Sequence, residues 1–279
     1  MPEPDPPPLT PEQKAARAAS FGGAASHYER YRPGPPSEVV DWVLPAPVRT
    51  IVDLGAGTGA LSRLLLGHAE EVVAVEPDDR MREILAESVP GVRALAGRGE
   101  SIPLPDGSVD AVMASSSWHW MDTVPTLLEV GRVLAPGGTL AAVWSGPDPD
   151  AGLIAQAQAL LSGNSDGSSE VAGIDGESQA ELSAALNDRN ALVQALEIPV
   201  GVPFDQPEKK VITWDVALTA DDLIGLLGTF SWVILMEDDA RARLFDTARR
   251  VLRDALGVSG DVTVDIGYRA EVFKARRHG

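Results

Sequence analysis

The chain reads as an α/β protein whose sheet is mostly parallel and flanked by helices. Three observations predict this. Short apolar runs alternate with helical segments from Thr50 onward and are joined by short turns, the pattern of strands linked by crossover helices. A glycine-rich turn, Asp53-Leu54-Gly55-Ala56-Gly57-Thr58-Gly59, follows the first run directly and precedes a helix. A long final run over 261–276 reads as one strand.

Taken in order, residues 1–10 are Pro-rich and acidic and read as a disordered tail. A helical segment covers 11–31, with Thr10 as N-cap and Pro11 at the first position, interrupted at Gly22-Gly23. A second helix covers 37–44, with Ser37 as N-cap. The apolar run 50–54 is a buried strand, 55–59 a tight loop and 60–66 a helix. Strand 71–75, helix 79–88 and a weaker strand at 92–96 follow. Pro105-Asp106-Gly107 turns into strand 109–114. Helix 122–134 then runs up to Pro136-Gly137-Gly138, and strand 139–144 comes next.

Gly, Ser, Asp and Asn crowd 162–176, which reads as an exposed insertion around helices near 150–161 and 177–195. Strand 210–218 leads to Thr219, which caps a helix that Asp221 and Asp222 suit electrostatically. An amphipathic helix covers 239–256, and the final strand carries a bulge at Gly267. Domain organisation follows: tail 1–10, helical segment 11–48, core 49–145, and 146–279 as insertion plus completion of the sheet.

Composition bounds the function. The chain has 279 residues, 44% of them hydrophobic, enough for a sizeable core without cross-links. It has no cysteine, which excludes disulfides, Cys-ligated zinc and thiol nucleophiles. The net charge of −18 opposes nucleic acid and anionic membrane surfaces as partners. A local basic pocket is still compatible with one small anionic substrate. The longest apolar stretch, 223–236, falls short of the roughly 20 residues a bilayer requires. A cytoplasmic protein with a small-molecule partner is the expectation; the oligomeric state is not legible. His27, His68 and His278 are scattered without metal-ligand spacing, so no metal site is expected.

The loop at 53–59 carries the chemistry. Its glycines permit a sharp turn and close approach of a ligand to the backbone. Asp53 stands two residues before the first glycine. Glu76 ends the next strand, where it can accept hydrogen bonds from both hydroxyls of a ribose. A dinucleotide loop reads G-x-G-x-x-G and brings a helix N-terminus to a pyrophosphate. This one reads G-x-G-x-G after an acid, which suits a cofactor with a cationic amino-acid end and no phosphates.

Asp53 to Gly59, the strand end Val75-Glu76-Pro77, the segment GRGESIPLPDGSVD at 97–110 and Leu134-Ala135-Pro136-Gly137-Gly138-Thr139-Leu140 resemble the class I S-adenosylmethionine-dependent methyltransferases of the small-molecule type 11 group. The stretch 21–33, with Tyr28, Tyr31 and Arg32-Pro33, is similar to a subset that includes trans-aconitate methyltransferase-like proteins. The resemblance covers about residues 20–145. It implies a Rossmann-like seven-stranded sheet, mostly parallel, with an antiparallel last strand and an N-terminal helical lid.

The resemblance also implies roles around S-adenosyl-L-methionine. Gly55, Ala56, Gly57 and Gly59 form the loop under its methionine part. Asp53 orients the loop and reaches the amino group, directly or through water. Glu76 holds the ribose, and Pro77 and Met81 border the adenine. Glu100 and Ser101 lie at the adenine edge, and Ser115 near the sulfonium. Arg32 pairs with the cofactor carboxylate from the lid. Many relatives carry an acid where this chain has Arg98, which leaves the adenine contacts open.

A second run, Ser115-Ser116-Ser117-Trp118-His119-Trp120-Met121-Asp122, follows the fourth strand at the carboxyl edge, where open α/β sheets bind ligands. Trp118 and Trp120 offer flat surfaces for a cation–π contact or for walling an acceptor pocket. His119 is the candidate general base, with a hydrogen-bonding role as the alternative. Asp122 caps the helix after it. Trp144, Phe230, Ser231 and Trp232 are further candidates for the acceptor cavity, with core packing as the alternative for Trp144 and Trp232. The activity implied is methyl transfer to a small acceptor, at oxygen in the first instance. The competing readings are a non-catalytic cofactor-binding module and a nicotinamide-dependent oxidoreductase.

Overall fold

The computed structural model describes residues 31–162, 182–183 and 195–279. The tail at 1–10, the helix expected over 11–30, His27 and nearly all of the helix expected over 177–195 lie outside the described residues.

Seven strands form one sheet: β1 (Val48–Leu54), β2 (Ala69–Val75), β3 (Arg93–Leu95), β4 (Val109–Ser115), β5 (Leu134–Pro147), β6 (Glu208–Leu218) and β7 (Val264–Arg276), in the order β3-β2-β1-β4-β5-β7-β6. The first five pair in parallel. β7 runs antiparallel to both β5 and β6, so the last strand alone opposes the rest. The strand order reverses at β1, with β2 on one side and β4 on the other. Ligands of open α/β sheets bind at the carboxyl ends beside such a switch point.

The central strands are apolar on both faces, as strands covered by helices must be. Ile51, Ala111, Met113, Ala141 and Val143 pack beneath α1 (Ser37–Val43) and α2 (Ala60–Leu65). Leu85 of α3 (Asp79–Ser88) packs on Ala74 on the same side. Val52, Leu54, Val112, Ala114, Ala142 and Trp144 face the opposite way. They pack with Leu127, Val130 and Val133 of α4 (Thr123–Val133) and with Leu196, Ile198 and Phe204.

Within the 11–48 segment, α1 is a core helix: Val39, Val40 and Val43 are buried under the sheet. Its N-cap is Pro36, not Ser37; Ser37 is the first helical residue and its hydroxyl turns to Glu38. Asp122 takes the N-cap position of α4 but makes no side-chain capping bond. The Pro136-Gly137-Gly138 turn does not separate helix from strand. β5 starts already at Leu134, opposite Val109, and the turn is a bulge inside it, where β4 advances from Val109 to Ala111 while β5 advances from Leu134 to Thr139. Gly267 lies in regular register with Asp215, so no bulge stands there. The missing side chain admits Ala151 instead, whose Cβ would lie 3.1 Å from a Cβ at 267.

The C-terminal helices build a smaller second core. α5 (Gly152–Ser162), α6 (Ala220–Leu227), α7 (Ser231–Ile234) and α8 (Asp238–Arg250) contribute Leu161, Ile224, Leu227, Val233, Leu244 and Ala248. Thr219 starts α6 with a reciprocal capping box to Asp222, as its sequence predicts. No helix among the described residues is long and apolar enough to cross a membrane.

Candidate active site

The site is built from three segments at the carboxyl edge of β1, β2 and β4. The first is the glycine loop. Gly55 and Gly57 both have positive φ, at 69° and 57°, which L side chains adopt at a cost. The two glycines answer different demands. A Cβ on Gly55 would stand 2.6 Å from Ser117 Cβ, so this position is closed by the protein itself. A Cβ on Gly57 would meet only Met81 Sδ, at 3.6 Å, among the described residues. Among the described residues the loop is therefore open above Gly57 and filled beneath Gly55. Ala56 is buried, and Gly59 is the N-cap of α2, packed against Val89 and Leu85.

Two acids flank this loop. Asp53 is buried in β1 and accepts from Ser62 Oγ of α2 at 2.6 Å. Burial pushes its carboxyl up to about 7; the Ser62 hydrogen bond opposes that rise and the charge of Glu76 adds to it. Glu76 ends β2, its Oε2 accepting from the Gly57 amide at 2.9 Å and its Oε1 from the Asp78 amide at 3.0 Å. Burial raises its pKa, against those two amide hydrogen bonds. A carboxylate offers about four lone-pair positions, so two amides leave capacity for a diol. Pro77 is exposed beside it, and Met81 is buried under the loop. Asp78 caps α3 by accepting from the Arg80 and Met81 amides, which fixes the strand-to-helix turn carrying Glu76.

The second segment lies at 97–106. Arg98 and Ser101 exchange backbone hydrogen bonds, and Glu100 Oε1 accepts from the Asp122 amide at 2.8 Å. Arg132 of α4 secures the segment from behind. It donates to the carbonyls of Ile102 and Leu104 and pairs with Asp106 and Glu129. Ser101 is exposed and Glu100 half-buried, so both lie at the rim.

The third segment follows β4. Ser115 ends that strand opposite Val143. Ser116 has φ 52°, the single non-glycine residue with positive φ among the described residues. That conformation throws the chain into a 3₁₀ turn over Trp118–Trp120. Ser117 Oγ donates to the Leu54 carbonyl at 2.7 Å and pins this turn to the end of β1. Of its aromatics, Trp118 enters the core with Leu54 and Met121, whereas Trp120 stays half-buried with its ring 4.5 Å from that of His119. His119 is buried, and its Nδ1 lies 3.2 Å from the indole Nε1 of Trp144. Trp144 in turn stands edge-on to Phe273, 5.7 Å between rings.

Arg32 joins the site region to the C-terminal helices. Its Nε donates to Thr229 Oγ1 at 3.2 Å and its guanidinium lies over the Phe230 ring. Tyr31 packs on Gly225, where a Cβ would lie 2.4 Å from its ring. Gly34 meanwhile touches Ala60, the first residue after the glycine loop.

Sequence reading located the loop, both acids and His119. It did not find Ser62 as the partner of Asp53, Ser117 as the pin at Leu54 or Thr229 as the partner of Arg32, and it left Trp144 between acceptor cavity and core. Those partners are brought together by strand order and helix packing, with no spacing signal to reveal them. Among the described residues no cluster of three or more metal-ligating side chains exists.

A family model for a methyltransferase domain matches residues 52–142. The chain is 36% identical over 233 residues to an uncharacterized methyltransferase of Mycobacterium tuberculosis, covering 84% of this chain and 85% of that one. It is 34% identical over 156 residues to a malonyl-[acyl-carrier protein] O-methyltransferase of Methylococcus capsulatus, 50% of this chain and 56% of the relative. A solved structure from Anaeromyxobacter dehalogenans shares the fold with a TM-score of 0.62 at 23% identity, covering 88% of this chain and 98% of that one. Since likeness to the mycobacterial protein runs through most of both chains, well beyond the glycine loop, this chain belongs to the class I S-adenosylmethionine-dependent methyltransferases.

Proposed function

We propose that the chain binds S-adenosyl-L-methionine across the carboxyl ends of β1 and β2 and methylates an oxygen of a small-molecule acceptor. The observation that carries this reading is the state of Glu76. Its two oxygens hold the Gly57 and Asp78 amides, which aims a carboxylate with spare lone pairs over an open glycine. That arrangement suits a ribose diol.

When bound, the cofactor supplies a sulfonium methyl that is already activated. The residues of the chain then have binding and alignment to perform. Glu76 accepts from the ribose hydroxyls. Asp53 braces α2 through Ser62 and receives the ammonium end. Met81 and Pro77 border the adenine, with Glu100 and Ser101 at its edge. Ser115 lies toward the reacting centre. His119 and Trp120, on the turn pinned by Ser117, border the acceptor. Arg32 ties the lid segment to the turn between α6 and α7 that carries Thr229 and Phe230. The net charge of −18 supports a free small molecule over nucleic acid or an anionic membrane. The oxygen assignment draws support from the Methylococcus relative, an O-methyltransferase.

Calorimetry with S-adenosyl-L-methionine and with a nicotinamide dinucleotide, side by side, tests the cofactor. Binding of the first alone is expected; retention of the dinucleotide alone would overturn the reading. Methyl-labelled cofactor incubated with a metabolite extract then identifies the acceptor atom, and an N-methyl or C-methyl product would overturn the oxygen assignment.

A further inference from the structure

We propose that Trp144 is a positioning residue that fixes the tautomer of His119, so that His119 serves methyl transfer as a hydrogen-bond donor and not as a base. The inference rests on the placement of His119 beside the acceptor argued above. An indole N–H donates and cannot accept. With Trp144 Nε1 at 3.2 Å from Nδ1, the Nδ1 lone pair of His119 is the acceptor of that bond. A neutral imidazole has one lone pair, so the ring proton sits on Nε2. Protonating the ring would set a second N–H against the indole N–H. Trp144 therefore holds the imidazole neutral and turns its remaining nitrogen into a donor.

The surroundings keep this pair fixed. Both side chains are buried, at 5% and 9% exposure, so separating them would leave two polar groups without water. The indole is wedged edge-on against Phe273 of the antiparallel strand. The imidazole is backed by Trp120. The turn bearing it is set by the positive φ of Ser116 and by the Ser117 bond to Leu54, one residue before Gly55. The donor is thus held in register with the glycine loop. On this account the acceptor oxygen enters already ionised, as a carboxylate does, so that its methylation releases no proton and none passes to His119.

Nitrogen-15 NMR of the histidine-labelled full chain reads the tautomer directly and needs no acceptor. His119→Gln assigns the signal among the four histidines. The expected result at about pH 7 is a neutral ring protonated at Nε2. In Trp144→Phe, which keeps a ring against Phe273, that signal should become a tautomer mixture or a titrating imidazolium. Turnover, measured with methyl-labelled S-adenosyl-L-methionine and a metabolite extract, should fall about tenfold, the worth of one hydrogen bond. Cofactor affinity should not change. His119→Gln, whose amide supplies an N–H at a similar reach, should keep more of the turnover than His119→Ala.

A wild-type signal showing Nδ1–H or a doubly protonated ring would overturn the proposal, and so would a tautomer indifferent to Trp144→Phe. Equal loss in the Gln and Ala variants would also overturn the donor role. If Trp144→Phe does not fold by circular dichroism, the wild-type spectrum and the His119 pair still decide. Failure of the wild-type chain to bind S-adenosyl-L-methionine would instead strike the functional reading, and calorimetry separates that result from the NMR one.

Discussion

The backbone amide of Gly57 donates to Oε2 of Glu76 at 2.9 Å, and this one bond ties the glycine loop of β1 to the end of β2. It gives the acid two tasks: holding the loop in its turn and facing the ligand. Glu76→Ala should therefore lower both thermal stability and cofactor affinity. The affinity loss should be about 1–3 kcal/mol, the range for charge-assisted hydrogen bonds. Calorimetry with S-adenosyl-L-methionine measures it, and an unchanged dissociation constant would remove Glu76 from the site.

The two loop glycines should respond in opposite ways. Gly57→Val meets only Met81 in the described structure, so the variant should fold, with a loss of roughly 1–3 kcal/mol from the positive φ. Its side chain occupies the open space above the loop, and cofactor binding should be abolished. Gly55→Ala has the same kind of backbone cost at φ 69° and also drives a Cβ into Ser117, which adds about 1–3 kcal/mol as overpacking does, so it should destabilise the fold more than Gly57→Val. Denaturation and calorimetry on both variants separate the effects. Measurable cofactor binding by Gly57→Val would contradict the open-loop assignment.

Asp53 should leave a signature in the pH dependence of stability. Its carboxyl titrates near 3.8 as a free side chain and near 7 in the fold, chiefly through burial. Between those values the folded chain keeps a proton that the unfolded chain has released. This group's contribution is therefore full below the lower value and is lost as pH rises through about 7. Asp53→Asn carries no such proton and still offers Ser62 an acceptor. The variant should gain on the wild type by up to roughly 1.4 kcal/mol per pH unit across that window, then level off. Urea titrations at stepped pH give the comparison; parallel curves would show that Asp53 titrates normally.

Arg132 should matter to the cofactor without touching it. Its guanidinium holds the Ile102 and Leu104 carbonyls and two carboxylates behind the 97–106 segment. Arg132→Met keeps much of the volume and removes every donor. A stability loss of about 1–3 kcal/mol is expected from the carbonyls and acids left behind, with weaker cofactor binding as the Glu100 rim loosens. Full affinity in a destabilised variant would separate that segment from the adenine edge.

Much of the fold was legible because its signals are local. All seven strands and the helices at 60–66, 79–88 and 122–134 announce themselves by apolar runs and turn residues. α3 falls on the residues its pattern predicts, 79–88, and the structure adds Asp78 as its cap. Ser37, Pro136-Gly137-Gly138 and Gly267 carry residue types that suit a cap, a stop and a bulge, yet the adjacent Pro36 takes the cap and strand pairing runs through the other two. At those two, neighbours distant in sequence decide which of the permitted conformations is used. For Gly267 that neighbour is Ala151.

The amino-acid sequence alone determined the order of the elements, the glycine loop and the two acids at adjacent strand ends, because strand period, turn chemistry and the place of an acid before a glycine are properties of neighbouring residues. Only the tertiary structure decided what those groups touch. Asp53 meets Ser62 across a turn, Arg32 meets Thr229 at a separation of 197 residues, and the lone pair of His119 is taken by Trp144 of the neighbouring strand. A hydrogen bond depends on positions to within tenths of an ångström, and these are set by sheet order and side-chain packing long after the local pattern has had its say.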